Sequence, residues 1–380
     1  MRRGMRVPDP ERRVKERGIA SCLLAFLAPT MVDAQPSRSP GIDTLYVKDY
    51  SHLIAGRAFA STKFNTLSLR SQEGQAALIY RPNNQVNLGI GVSYRKLTLN
   101  IGIKAPWLNR DDRVYGKTRY IDAQANMLSP ERATNLFLQY FRGYHISSHS
   151  QAEVGWQQQT SRPYRSDLEQ INIGISTLKM TNARRFSYRA AFNQDAWQRL
   201  SQGSWMYGGY ATWYHVRADS SLIPERIAAR YQPGARIRIG DFGDLGLMGG
   251  YAYTYVLGGH WFLTGSAALG LGASIQRVVR NGDADNVATT SIGPDWHGQL
   301  RGGFGYNSSR DEVALIYNQE RTAYFLTDQN VLAWSVGNVR LIYVHRFSER
   351  VPFIDKVVRF LKRKHPAEGV VPAADGTVPP

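Results

Sequence analysis

QAALIYRPNNQVNLGIGVSYRKLTLNIGIK, residues 75–104, contains two runs in which every second residue is aliphatic. The runs cover residues 86–94 and 97–104, and the residues between the aliphatic ones are small or polar. Because successive side chains of a strand point to opposite faces, a period of two indicates extended strands with two unlike faces. Turn-forming residues lie before and between the runs, at 82–84 and 95–96. This stretch therefore predicts consecutive antiparallel strands whose aliphatic faces need a common apolar neighbour.

The same alternation recurs almost to the C-terminus. The second face of most strands carries Gly, Ser, Asn, Thr and Gln instead of the Lys and Glu that a soluble β-sandwich presents to water. Strand candidates of about 10 residues suit a tilted membrane crossing. They lie at residues 75–81, 86–95, 97–104, 117–128, 133–144, 168–180, 184–197, 202–217, 233–242, 244–257, 260–277, 295–307, 311–320 and 333–347. The sequence predicts an all-β, antiparallel up-and-down transmembrane β-barrel of about fourteen strands over residues 75–347.

Composition agrees with a membrane barrel. The 380 residues include 35 glycines and 21 tyrosines, as expected for crowded strands flanked by aromatic girdles. A soluble β-sandwich or β-propeller is the alternative. A hydrophobic share of 43%, with no run of ~20 apolar residues after the N-terminal segment, does not indicate a helical membrane protein. The net charge of +17 is spread over termini, loops and strand ends, which favours anionic lipid head groups and a basic lumen over nucleic acid.

The N-terminal region resembles an export signal. Residues 1–34 contain a basic segment, an apolar segment over 19–31 and small residues before Gln35, so we predict a signal peptide. The only cysteine, Cys22, lies inside it, which excludes a disulfide or thiolate metal site from the mature chain. Residues 35–74 are predicted to form a periplasmic segment, a plug or an additional strand, and the sequence does not choose among these.

Connection lengths predict the topology. Long connections at 105–116, 145–167, 278–294 and 321–332 alternate with short ones at 129–132, 181–183, 258–259 and 308–310. Since bacterial barrels have short periplasmic turns, both termini are predicted to be periplasmic. Residues 218–232 form a long connection on the short side. If residues 233–242 are loop instead of strand, twelve strands are predicted.

The chain continues beyond the last predicted strand. Residues 348–380 are predicted to form a basic amphipathic helix over 352–364 and a disordered Pro-, Gly- and Ala-rich tail. The helix either lies on the inner leaflet surface or packs under the barrel.

Several short segments occur in the order found in a known family. They are YRPN at 80–83, VYGKT at 114–118, QYFRGY at 139–144, FSYRAAF at 186–192 and GGYAY at 249–253. Together they resemble a domain-of-unknown-function family of Gram-negative outer-membrane β-barrels, over roughly residues 43–347. The resemblance implies a barrel in the outer membrane and transfers no catalytic residue. The basic tail after Phe347 departs from barrels that end on a terminal aromatic strand residue, which affects how the barrel-assembly machinery would recognise the chain.

One polar cluster has the residue types of a hydrolase. His145, Ser147 and Ser148 lie at the start of a long predicted loop, where a serine nucleophile and a histidine base would be needed together. No acidic residue that could orient the histidine lies beside them in sequence. We therefore predict no catalytic site here, and no metal site or cofactor.

Eight polar side chains are predicted to face the lumen, because a charge on the lipid face costs ~2–4 kcal/mol near the midplane. They are Asn100, Asp122, Gln124, Gln139, Arg189, Arg236, Arg238 and Arg301. Arginine outnumbers acid in this set, so an open lumen would favour anions. The alternative is that these arginines pair with acids or plug residues and hold a closed barrel together.

The sequence thus predicts a non-enzymatic outer-membrane barrel that passes or binds small polar or anionic solutes. Its expected partners are outer-membrane lipid, the barrel-assembly machinery and a small anionic solute, with no nucleic acid. A lipid or envelope hydrolase and a structural or adhesin-like barrel are the other function classes.

Overall fold

The computed structural model describes residues 41–71, 76–94, 97–108, 111–280, 288–326 and 330–347. The predicted signal peptide and the predicted C-terminal helix and tail lie outside these residues. No helix in the described ranges has the length and apolarity needed to cross a membrane.

Most of the described chain is strand. The strands are β1 Val47–Asp49, β2 Ile54–Arg70, β3 Leu78–Arg81, β4 Val86–Tyr94, β5 Leu97–Lys104, β6 Arg119–Leu128, β7 Arg132–Ile146, β8 Tyr164–Met180, β9 Ala196–Gln198, β10 Gln202–Arg217, β11 Ile237–Leu257, β12 Trp261–Arg280, β13 Ala288–Asn307, β14 Asp311–Phe325 and β15 Val331–Phe347. Two short helices, α1 Asp112–Tyr115 and α2 Tyr188–Phe192, and three 3₁₀ turns complete it.

Ten strands form a closed antiparallel ring. The ring runs β2, β3, β7, β8 and then β10 to β15, and it closes where β15 pairs with β2 along their whole length. β4 and β5 continue from β2, and β6 pairs with β7. Within the described residues, β5 and β6 do not pair with each other. We call this gap in the wall the seam, and the short strand β3 closes the ring beyond it.

The all-β, antiparallel barrel is confirmed, while three predicted boundaries are wrong. The ring begins at Ile54 and not at residue 75, because residues 54–70 form β2, the additional-strand alternative for that region. Residues 233–242 and 244–257 are not two strands, since β11 runs unbroken from Ile237 to Leu257. Residues 184–197 are not a strand of the wall but contain α2 and β9. The ring therefore holds fewer strands than fourteen.

Connection lengths define two ends of the barrel. Short turns at 129–131, 258–260 and 308–310 lie at one end, together with the start of β2 and the end of β15. The loops at 147–163 and 218–236 lie at the other end. We call these the short-turn end and the long-loop end. Residues 181–201 form a long connection at the short-turn end.

The outer face of the barrel is apolar. Leu247 and Ile292 have 80% and 79% of their surface exposed. A soluble protein rarely exposes a contiguous apolar surface of this kind to water. Aromatic side chains border this face towards the short-turn end, where Trp261 contacts Phe304 and Tyr306, and Trp205 contacts Tyr251. An exposed apolar band with an aromatic border is typical of a strand wall that faces lipid.

Candidate functional site

The short-turn end of the lumen is filled by residues 181–201, which we call the plug. Ser187 caps α2 by accepting a hydrogen bond from the backbone N–H of Ala190 at 3.2 Å. Phe186 and Tyr188 are fully buried and pack against inward side chains of β10, β11 and β12. β9 pairs with β1, so the N-terminal described residues are part of the same closure.

Buried arginines of the wall hold the plug. Arg346 donates to the backbone oxygen of Gln194 at 2.9 Å and pairs with Glu312 at 2.5 Å, and both side chains of this ion pair are almost fully buried. Arg57 donates to the backbone oxygen of Asn193. Asn307 donates to the backbone oxygen of Ala196 at 3.2 Å. Since hydrogen bonds to charged groups are among the stronger ones, the plug is fixed in place.

The long-loop end is closed by an apolar cluster. Residues 218–236 fold into the mouth of the barrel and bury Leu222, Ile223 and Ile227 against inward aromatic residues. Phe242 stacks on Tyr324 with ring centroids 4.5 Å apart. We call this cluster the long-loop core. Because it is buried and packed, it blocks the lumen at that end.

A polar chamber lies between the plug and the long-loop core. Its cavity volume is about 80 Å³, room for a few water molecules or one small polar group. Phe192 of the plug and Phe137 of the long-loop core border it. The polar side chains that line it are Gln124, Asn126, Asn135, Gln139, Arg301, Asn318, Glu320, Asn338 and Arg340.

Most charges around the chamber are paired. Lys63 and Asp122 form an ion pair at 2.7 Å that links β2 to β6, and Gln139 donates to the same carboxylate at 3.0 Å. Glu320 accepts from Gln299 at 2.8 Å and lies 3.9 Å from Arg301.

Arg340 differs from these groups. Its guanidinium lies over the ring of Phe59, 5.0 Å from the centroid. Among the described residues, no carboxylate oxygen lies within 4.0 Å of it. Arg340 is therefore the cation of the chamber with the least compensation.

The structure places the predicted lumen residues in three groups. Gln124, Gln139 and Arg301 line the chamber, and Asp122 lies beside it. Asn100 is exposed on β5 at the seam. The remaining three lie elsewhere: Arg189 in the plug, with Asp49 and Asp195 as partners, and Arg236 and Arg238 at the long-loop end.

Sequence reasoning missed Asn338 and Arg340, although both lie on the inward face of β15 at a spacing of two. It also missed a buried polar layer next to the chamber. There Tyr210 donates to Asp295 at 2.5 Å, Thr212 donates to Asp244, and His297 lies 3.7 Å from Glu320. No set of three or more His, Asp or Glu in the described part of the chain is arranged to hold a metal ion.

The three hydrolase candidates do not form a catalytic arrangement. The ring of His145 packs against Tyr115 at a tilt of 48° with centroids 5.0 Å apart, and Ser147 donates to the backbone oxygen of Ile79 at 3.3 Å. Ser148 lies 2.8 Å from the ring nitrogen of the adjacent His149 and accepts from the backbone N–H of Ile79 at 2.9 Å. These contacts tie the 147–163 loop to β3.

The nearest acid in that loop is engaged elsewhere. Glu153 accepts from the backbone N–H and the hydroxyl of Ser150, which together with Arg230 lower the pKa of Glu153 to about 2. Burial lowers the pKa of His149, so that its imidazole is neutral at pH 7. The described geometry thus provides no carboxylate that orients His149 as a base.

Several solved structures are similar to this chain at low sequence identity. The outer membrane protease OmpT from Escherichia coli shares 9% identity, with a TM-score of 0.32 over 79% of this chain and 98% of that one. The translocator domain of autotransporter NalP from Neisseria meningitidis shares 8%, with a TM-score of 0.26 over 88% and 98%. The P. putida toluene transporter TodX shares 7%, with a TM-score of 0.25 over 78% and 91%.

No curated protein is significantly similar to this chain. A family model described as "Domain of unknown function (DUF4421)" matches residues 41–347, the range that contains every described strand of the barrel. The chain therefore belongs to the DUF4421 family.

Proposed function

We propose that this protein is a non-enzymatic outer-membrane barrel of a Gram-negative bacterium that binds a small polar anion in its chamber. The exposed apolar band supports the membrane location, because burial in lipid removes this surface from water. The barrel-assembly machinery would insert it, and the short-turn end with both ends of the barrel chain would face the periplasm.

The observation that carries the solute proposal is the chamber around Arg340. A guanidinium in an enclosed site without its own carboxylate favours an anionic partner, since a buried charge is costly unless it is paired. The amide groups of Asn318 and Asn338 line the same cavity and can donate further hydrogen bonds to an anion.

The plug and the long-loop core support binding over free conduction. Both ends of the lumen are filled by packed side chains, so the barrel as described contains no continuous aqueous path along its axis. The protein would therefore hold its solute instead of conducting ions.

Isothermal titration of methanesulfonate, phosphate and acetate into the full chain in lipid nanodiscs tests this proposal. Saturable binding of at least one anion is expected, and Arg340→Gln should weaken it by about tenfold or more, the loss of one charge-assisted contact. Arg226→Gln, an exposed arginine of the 218–236 loop, serves as the matched control and should bind as the unmodified protein does. Absence of saturable binding for all three anions would overturn the proposal.

A further inference from the structure

The seam leaves two strand edges open in the middle of an otherwise continuous wall. β5 hydrogen-bonds to β4 and β6 hydrogen-bonds to β7, but β5 and β6 do not bond to each other in the described ranges. Beyond the seam the wall is secured by the Lys63–Asp122 ion pair and by Tyr120, whose hydroxyl donates to Asn87 at 3.3 Å. The opening is therefore limited to one side of the barrel.

The inside of the seam leads to the chamber. Gln124 and Asn126 on the inward face of β6 are exposed and also line the chamber cavity. Arg340 lines the same cavity from β15. A polar group that enters between β5 and β6 thus reaches the Arg340 guanidinium without crossing the plug or the long-loop core.

The outside of the seam borders an apolar groove of about 690 Å³, which we call the outer groove. Small side chains of β2, Ala58 and Ala60, form its floor, because larger residues stand on both sides of them. One wall is formed by Ile90 on β4 and Ile101 on β5, and the other by Leu341 and Tyr343 on β15. The groove is almost free of polar surface, so water is a poor occupant.

Two strands, β4 and β5, separate the groove floor on β2 from the seam, about 10 Å of strand width. β5 forms a wall of the outer groove, and its free edge forms the seam. We propose that the seam is a lateral portal for a single-chain amphiphile with an anionic head group. Its head group binds near Arg340 and its alkyl chain lies in the outer groove.

This inference rests on the proposed function and adds the class of solute. Charge selects an anion, because Lys63 and Arg301 already have carboxylate neighbours while Arg340 has none within ion-pair distance among the described residues. Shape selects one chain, because the floor of the groove is a single row of small residues on one strand.

Titration of a matched ligand set tests the portal. Methanesulfonate has the head group alone, decanesulfonate adds the chain, and decyl maltoside has the chain with an uncharged head. With the full chain in nanodiscs, decanesulfonate should bind at least tenfold more tightly than methanesulfonate, and decyl maltoside should not compete with methanesulfonate.

Two tryptophan substitutions separate the groove from the rest of the lipid face. Ala60→Trp fills the groove floor and should abolish the tenfold gain from the chain while methanesulfonate still binds. Ala267→Trp, an exposed alanine on the outer face of β12 away from the groove, should retain the gain. If Ala60→Trp does not give the heat-modifiable folded band, Ala58→Leu replaces it.

The outcomes distinguish the two proposals. If methanesulfonate binds but the chain adds nothing, or if Ala60→Trp and Ala267→Trp behave alike, the portal is overturned and the anion chamber stands. If neither sulfonate binds, the proposed function fails and the portal with it.

Discussion

Arg346 and Glu312 form an ion pair inside the barrel wall, with side chains that are 1% and 0% exposed. Removing one partner leaves the other charge buried and uncompensated, so Arg346→Met should lower the free energy of unfolding by about 3–5 kcal/mol. Arg346→Met combined with Glu312→Leu should recover much of that loss. Urea unfolding in detergent micelles measures the stability of the unmodified protein and of both variants. A double variant less stable than Arg346→Met alone would contradict the argument.

A neighbouring pair on the same two strands gives the control. Asp311 and His345 pair at 2.7 Å with side chains 45% and 38% exposed. Because solvent screens such a pair, Asp311→Asn should change the free energy of unfolding by less than about 1 kcal/mol at pH 7.

Gly208 on β10 has no room for a side chain. A methyl group there would lie 1.8 Å from the backbone oxygen of Thr177 on β8, whereas at Gly243 on β11 no heavy atom lies within 4 Å. Gly208→Ala should therefore destabilise the barrel by about 1–3 kcal/mol through backbone displacement, and Gly243→Ala should be close to neutral. The unfolding free energies of the two variants measure the difference, and equal values would refute the close approach.

At the scale of elements, alternation alone could not separate a wall strand from the plug. Phe186, Tyr188, Ala190 and Phe192 alternate with Ser187, Arg189, Ala191 and Asn193 as strand residues do. Every residue of 186–191 is buried, however, because the segment is enclosed inside the barrel and has no face towards lipid. A period of two arises by chance in so short a stretch, and only the tertiary structure excludes a strand.

For β2, the sequence left an additional strand as one of three alternatives. Its outward positions include Gly56, Ala58, Ala60 and Thr62, which are too small to give the strong aliphatic alternation of β12. β2 belongs to the ring because it pairs with β15. A local sequence pattern cannot predict a pairing between strands that lie so far apart in the sequence.

The seam predicts a difference in local stability. In the part of the chain that the structure describes, the edges of β5 and β6 that border the seam have no strand partner, while β12 has partners on both sides. Amide hydrogens on the open edges should exchange at least tenfold faster than those in the middle of β12. Hydrogen–deuterium exchange of the protein in nanodiscs measures this, and uniform protection would mean that β5 and β6 pair in the membrane.

At the scale of the whole molecule, two independent closures predict how conductance responds to deletion. Replacing residues 184–197 with a short Gly-Ser linker removes the plug but leaves the long-loop core, so no conductance is expected in planar bilayers. Removing residues 222–231 as well should produce conductance steps. Steps from the unmodified protein, or from the plug deletion alone, would contradict the double closure.

The apolar band makes a second prediction for the whole barrel. Leu247 on β11 is 80% exposed, and Leu45, outside the strands, is 69% exposed. Leu247→Arg should destabilise the barrel in lipid vesicles by about 2–4 kcal/mol, because the charge meets hydrocarbon. Leu45→Arg should be nearly neutral. Urea unfolding of both variants in vesicles gives the comparison, and similar values would argue against a lipid-facing band.

The candidate site shows how far sequence reasoning reaches. Alternation predicted an inward position for Gln124, Gln139 and Arg301, and the structure finds all three around one cavity. It could not predict which arginines keep a carboxylate neighbour, since Arg189 finds Asp49 and Asp195 only through the folding of the plug. Nor could it find the seam, which is a missing pairing between two otherwise well-formed strands.

The pairing of β2 with β15 also has a consequence for biogenesis. The earliest and latest strands of the wall are neighbours, so no N-terminal part of the nascent polypeptide can close by itself. The ring can close only when β15, its last strand, is available to pair with β2. Contacts between strands so distant in sequence form slowly. Until then, the apolar side of each completed hairpin is exposed to water, so the incomplete barrel is prone to aggregate.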